Sequence, residues 1–188
     1  MKYQKRFTSN AKLIEIYDEV FTSSEKSHHL IFAQNSDYVL GHPSTSVFWQ
    51  KTDTFFASVM DDEKLNQFGF KNTNFCNNVL SKRLPAYKIE RSWILSSSPF
   101  STYYYHVDNA DEKINKKTIL YYLNNRWDRN WGGETLFANN HGECEIAVEY
   151  KPGRVVLFDG SIEHKPSPIS IKADEYRFIF VAQCVEVL

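Results

Sequence analysis

The sequence predicts an α+β protein: residues 85–188 form an all-β jelly roll or barrel, and the first 84 residues form a helical and mixed buttress. Three observations carry this. Aromatic residues make up 15% of the 188-residue chain, as eleven Tyr, fourteen Phe and four Trp, a bias toward strands. From Tyr87 onward, seven or eight short β-type runs follow one another at turn-bounded intervals, the spacing of a double-sheet or barrel architecture. Before Tyr87 apolar residues recur at helical intervals instead. The length suits one domain with a sizeable core, and no repeat, low-complexity tract or linker divides it.

Taken in order, Asn10 is placed to cap a helix whose apolar residues Leu13, Ile16, Tyr17, Val20 and Phe21 fall at i, i+3, i+4, i+7 and i+8. Segments 28–40 and 46–59 are aromatic and β-branched but interrupted by Asn, Asp, Gly and Pro, and read as short strands or irregular structure. Asp61 or Asp62 opens a short helix, and Phe75, Cys76, Val79 and Leu80 form the stripe of another that Pro85 ends. The strand runs are YKIERSWILSS, STYYYHVD, KTILYYLN, GETLFA, CEIAVEY, RVVLFDG and YRFIFVAQCVEVL.

Composition excludes several functions. A net charge of −1 without blocks of like charge gives no electrostatic footprint for nucleic acid. Three cysteines, Cys76, Cys144 and Cys184, share no CxxC spacing, which argues against a disulfide framework or zinc ribbon and for a reduced, cytoplasmic setting. The N-terminus has no apolar stretch of a secretory signal, and no run is long enough to span a membrane.

The chemistry concentrates in His106-Val107-Asp108, followed by His164 and, inside an apolar run, Arg177. In an extended strand residues i and i+2 face the same way, so His106 and Asp108 would face one cavity. An imidazole brought in by a distant strand, such as His164 at the end of the PGRVVLFDGSIEH segment, would complete two histidines and one carboxylate, the facial set that suits non-haem Fe(II) and leaves coordination positions open. Gly132-Gly133 reads as a tight turn needing positive φ. Trp127 and Trp131 flank a charged loop and are equally suited to packing and to a peptide contact. His28, His29, His42 and His141 match no motif and default to surface or loop positions.

The ordered series YxxHxD, YYLN, WGGETLF, PGRVVLF, then His164 and a strand arginine, resembles the prolyl-hydroxylase branch of the Fe(II)/2-oxoglutarate-dependent dioxygenases over roughly residues 87–183. The resemblance implies a double-stranded β-helix core, Fe(II), 2-oxoglutarate and O2 as cofactors with ascorbate as an optional reductant, and a peptide, protein or small-molecule substrate. It makes His106, Asp108 and His164 the iron ligands and Arg177 the partner of the distal carboxylate of 2-oxoglutarate. Tyr122 matches a tyrosine that helps hold this co-substrate, and Tyr103 one that lines the pocket.

Physical chemistry agrees on Arg177: an unpaired guanidinium facing the interior must turn to water or meet an anion, and its planar fork grips a carboxylate better than Lys. Arg177 comes thirteen residues after His164, and Lys172 comes eight after it. The family's basic residue usually comes sooner than thirteen, so Lys172 is a rival anchor, but PSPISIKADE reads as a lengthened loop and favours Arg177. Gln183 stands where relatives near the oxygen-sensing enzymes carry a large aromatic. Asp108 keeps the carboxylate that halogenating relatives replace with Gly or Ala, which implies hydroxylation. The expected activity is hydroxylation of a prolyl residue in a peptide or protein. A hydroxylase of a free amino acid or other metabolite is the alternative, and a non-catalytic metal-binding jelly roll a third reading.

Overall fold

The computed structural model describes residues 1–41, 54–109, 111 and 115–187. Eight antiparallel strands form a major sheet in the order β1 (Lys2–Phe7), β2 (Leu13–Asp18), β9 (Val155–Asp159), β6 (Lys116–Tyr122), β11 (Arg177–Glu186), β5 (Tyr87–Ser97), β4 (Phe56–Val59) and β3 (Val39–Leu40). A minor sheet pairs β10 (His164–Pro166), β7 (Thr135–Ala138) and β8 (Cys144–Val148). Together they make the two sheets of a double-stranded β-helix, with few helices outside it.

Alternation along the central strands assigns every residue to a layer. Ile119, Tyr121, Val155, Leu157, Phe178, Phe180 and Ala182 face outward into a core shared with Leu65, Phe68, Phe70 and Phe75. Leu120, Tyr122, Val156, Phe158, Ile179 and Val181 face inward, toward Phe137 and Val148 of the minor sheet. By the same parity Arg177 and Gln183 on β11, and Thr118 on β6, point inward.

The first 84 residues depart from the expected buttress in two places. No helix spans Leu13–Phe21: Leu13–Asp18 is β2, paired with β1 on one side and β9 on the other. Ile14 and Ile16 alternate into the inner core while Tyr17 joins the outer one, so burial on both faces favours the strand over the helical stripe. The helix begins later. α1 (Ser23–Gln34) covers residues expected to be strand-like, and a capping box starts it: Thr22 accepts from Glu25 N while the Glu25 carboxylate accepts from Thr22 N. The buttress therefore also contributes β1–β4 to the major sheet.

The two helical expectations closest to Tyr87 hold. Asp61 caps α2 (Asp62–Phe68), accepting from Lys64 N at 2.8 Å, and a π-helical turn at Cys76–Leu80 runs into a helical turn at Ser81–Arg83. Segment 46–59 is described from residue 54 on, and His42 lies outside the described residues. His29 is not a surface histidine. It is buried against Phe21 and Phe68 with Nδ1 3.0 Å from the Tyr121 hydroxyl. Among the described residues no helix is long and apolar enough to cross a membrane.

Candidate active site

Residues 101–108 form no strand ladder, contrary to expectation; a single bridge joins them to β10. His106 N donates to His164 O at 3.0 Å and His164 N to His106 O at 2.9 Å. This brings together two histidines far apart in sequence by backbone pairing alone. The next residues are pinned to the turn after β9, where Gly160 O accepts from both Asp108 N and Asn109 N at 2.9 Å. Asp159 shapes that turn by accepting from Ser161 N at 2.9 Å, and the chain then delivers His164 into β10.

One potential ligand atom from each of His106, Asp108 and His164 lies within 4.8 Å of the others. Asp108 Oδ1 is 3.9 Å from His106 Nε2, and Oδ2 is 3.7 Å from His164 Nε2. The opposite ring nitrogens are committed: His106 Nδ1 lies 3.0 Å from Tyr104 O and His164 Nδ1 2.9 Å from Ile162 O. Donation to these carbonyls fixes the tautomer that leaves each Nε2 lone pair aimed at the carboxylate, the orientation a metal-binding histidine needs. Burial pushes His164 down to about 4, so at neutral pH it is the uncharged ligand form. Burial alone would raise the Asp108 carboxyl, but the two imidazoles, the Thr118 hydroxyl at 2.5 Å and the Gln183 amide together hold it below the usual range. Among the described residues no other group of His, Cys, Asp and Glu converges in this way.

These side chains open into a cavity of about 430 Å³ on the inner face of the major sheet, also lined by Tyr103, Thr135, Arg177 and Gln183. Arg177 is 2% exposed, and its Nε and Nη1 have no hydrogen-bond partner. Its guanidinium lies between the rings of Tyr103, 5.6 Å away, and Tyr150, 5.8 Å away. Room for it comes from Gly133, at φ +82°, where a Cβ would stand 3.0 Å from Arg177 Cδ. Gly132 also has a specific cause, since a Cβ there would meet Pro168 O at 2.6 Å.

The remaining candidates separate. Tyr103 lines the cavity and bonds Ser97 through its hydroxyl. Tyr122 sits behind the wall, its hydroxyl 2.7 Å from Thr135 Oγ1, which does line it. Lys172 is exposed in the loop before β11, away from the cavity. Trp127 packs: its Nε1 donates to Gly132 O at 2.9 Å and its ring meets Trp131 and Tyr150. Sequence reasoning missed Thr118, Thr135, Tyr150 and Arg91, which also lines the cavity. Parity was the available signal for two of them: Thr118 shares the face of Tyr122, and Arg91 shares that of Trp93.

A double-stranded β-helix with two imidazoles and a carboxylate converging in its inner cavity defines a metal-dependent oxygenase architecture. Over residues 94–182, just under half of its length, the chain matches the model of the 2OG-Fe(II) oxygenase superfamily. The match supports an oxidoreductase whose cofactors are Fe(II), 2-oxoglutarate and O2.

Among solved structures, the fold is similar to a prolyl hydroxylase from Trichoplax adhaerens in complex with a hypoxia inducible factor oxygen degradation domain peptide fragment. The TM-score is 0.67 and the identity 18%, over 92% of this chain and 83% of that one. A prolyl-4-hydroxylase from Pseudomonas putida matches at TM-score 0.63 and 15% identity, over 93% and 92%. The non-heme alpha ketoglutarate dependent epimerase SnoN from nogalamycin biosynthesis matches at 0.66 and 13%, over 92% and 78%. At these identities the likeness is one of fold. No curated protein sequence matches significantly.

Proposed function

We propose that the protein is a hydroxylase, of a prolyl residue in a peptide or protein or of a free amino acid, with His106, Asp108 and His164 holding Fe(II) and Arg177 holding the distal carboxylate of 2-oxoglutarate. One observation carries the assignment: a buried guanidinium whose Nε and Nη1 lack hydrogen-bond partners shares a cavity with two oriented imidazoles and a carboxylate. Burying an unpaired cation is costly, and a carboxylate entering beside Arg177 removes that cost. Arg177 is favoured over Lys172 because only Arg177 reaches the cavity.

Held by His106, Asp108 and His164, iron would supply the activation of O2 that couples oxidation of 2-oxoglutarate to succinate and CO2 with insertion of an oxygen atom into a substrate C–H bond. The chain's own residues position and exclude. Tyr104 and Ile162 carbonyls orient the imidazoles, Thr118 and Gln183 fix the Asp108 carboxylate, and Tyr103 and Tyr150 hold the Arg177 fork over the cavity. Tyr122 acts through Thr135, whose hydroxyl is the group it presents to the co-substrate. Two prolyl hydroxylases among the similar folds support the substrate assignment. A second reading, hydroxylation of a free amino acid, is favoured by the polar pair at the cavity's other end, Arg91 and Gln183.

The test is succinate release with Fe(II), 2-oxoglutarate and O2. His106→Ala, Asp108→Ala and His164→Ala should each abolish it while leaving thermal unfolding of the metal-free protein near that of the unmodified chain. Full succinate release by His164→Ala would overturn the ligand assignment.

A further inference from the structure

The cavity has two cationic ends. Arg177 and Gln183 are six residues apart on β11, about 20 Å of strand, and Gln183 is paired in register with Arg91 on β5. A five-carbon dicarboxylate anchored at Arg177 does not extend to Arg91, whose side chain lines the cavity yet is 47% exposed, which leaves it open to an incoming second group. Arg91 has little protein claim on it. Its nearest carboxylate, Glu90, is 3.8 Å away and already accepts from Lys116 Nζ at 2.8 Å.

Gln183 adds a direction. Its amide donates to Asp108, while Oε1 is buried and has no hydrogen-bond partner, and the residue is 4% exposed. A buried acceptor left unmade is unfavourable, so the carbonyl awaits an N–H. The register of β11 against β5 shifts just after Gln183, the kind of irregularity that re-aims a side chain beside a site. One strand apart, the pair therefore offers a fork for a carboxylate and an acceptor for an N–H.

We infer that Arg91 and Gln183 bind the substrate, and that it is a free α-amino acid held by its carboxylate on Arg91 and its ammonium group on Gln183 Oε1. A proline within a peptide has neither a carboxylate nor an N–H, whereas a free amino acid carries both on one carbon. The inference rests on the hydroxylase reading and selects its second form. With Arg91 and Gln183 gripping the backbone end, the side chain of the amino acid is the part left to meet the metal cluster.

The test uses the full chain loaded with Mn(II) and N-oxalylglycine, titrated calorimetrically with the proteinogenic amino acids, their α-amides and a capped Gly-Pro-Gly peptide. At least one free amino acid should bind, and its amide should bind about tenfold more weakly or worse, the loss of one charge-assisted hydrogen bond. Arg91→Gln should weaken the free acid by a similar factor while leaving the amide alone, with Arg91→Lys between; N-oxalylglycine binding shows that each variant is folded. Equal binding of acid and amide, an Arg91→Gln variant that binds the acid normally, or binding of the capped peptide with no free amino acid binding overturns the inference. The last outcome returns the substrate to a peptide and leaves the hydroxylase reading standing, whereas a chain that takes up neither Mn(II) nor N-oxalylglycine overturns both.

Discussion

Along β11 the two faces of one strand do different work. Phe178, Phe180, Ala182 and Cys184 turn outward into the aromatic core under the helices, whereas Arg177, Ile179, Val181 and Gln183, one residue out of step, line the cavity. The outward set is fully apolar and close-packed; Phe180 lies 4.9 Å from the Phe68 ring and 5.0 Å from Phe70. The inward set ends in two polar side chains whose buried atoms lack partners. Polar atoms left unsatisfied on one face are stabilised by the packing of the other, and a ligand collects the difference. Stability and chemistry should therefore be separable by parity within a single ten-residue strand.

The largest effect should come from the outer face. Phe180→Ala removes a fully buried ring, and urea unfolding should show a loss of about 3–5 kcal/mol, with the KM for 2-oxoglutarate little changed at temperatures where the variant is folded. A comparable KM change would mean the faces are not independent.

Next comes a pH effect confined to the same outer core. Burial, followed by the neighbouring His28, lowers His29 from its ordinary 6.5 to about 4. Its folded-state pKa is thus below the unfolded one, so its contribution is complete above pH 6.5 and is lost as pH falls toward 4, about 3 kcal/mol in all. His29→Gln should flatten the difference in stability between pH 7 and pH 4; an unaltered slope would place the titrating group elsewhere.

The inner face should show the reverse pattern. Arg177→Lys keeps the charge and loses the fork, raising the KM for 2-oxoglutarate by a factor worth about 1.5–3 kcal/mol. Arg177→Met should raise that KM further while leaving the metal-free, co-substrate-free protein as stable or more so, because an uncompensated buried cation is gone. If Lys172→Ala raises the KM and Arg177→Met does not, the anchor lies in the loop instead.

Much of this division was legible in advance. From Tyr87 on, strands are bounded by turn residues, and β5 spans the run YKIERSWILSS from end to end. His106, Asp108 and His164 were legible as a set because motif order survives even where local structure was misread; STYYYHVD holds its two ligands by a bridge and a turn contact, not by a strand. The first 84 residues were harder. Leu13, Ile16 and Tyr17 fit a helical stripe and a strand alternation alike, and the partner that decides between them, β9, is far away in sequence. The Thr22–Glu25 capping box was a purely local signal, overshadowed by that stripe. Arg91 and Gln183 needed the pairing of β5 with β11 before they could be seen as neighbours.

That pairing bears on how the protein is made. β11 is the last described strand in the chain, yet it lies in the middle of the major sheet, between β6 and β5. As the polypeptide leaves the ribosome, β5 and β6 emerge with open edges and no strand to join them until Arg177–Glu186 appears. The sheet cannot close progressively; it closes in one late, long-range step, which slows folding and leaves two unpaired edges available to other chains meanwhile. Arg177 arrives at the start of that same strand, so the cavity acquires its co-substrate end only when the sheet is sealed.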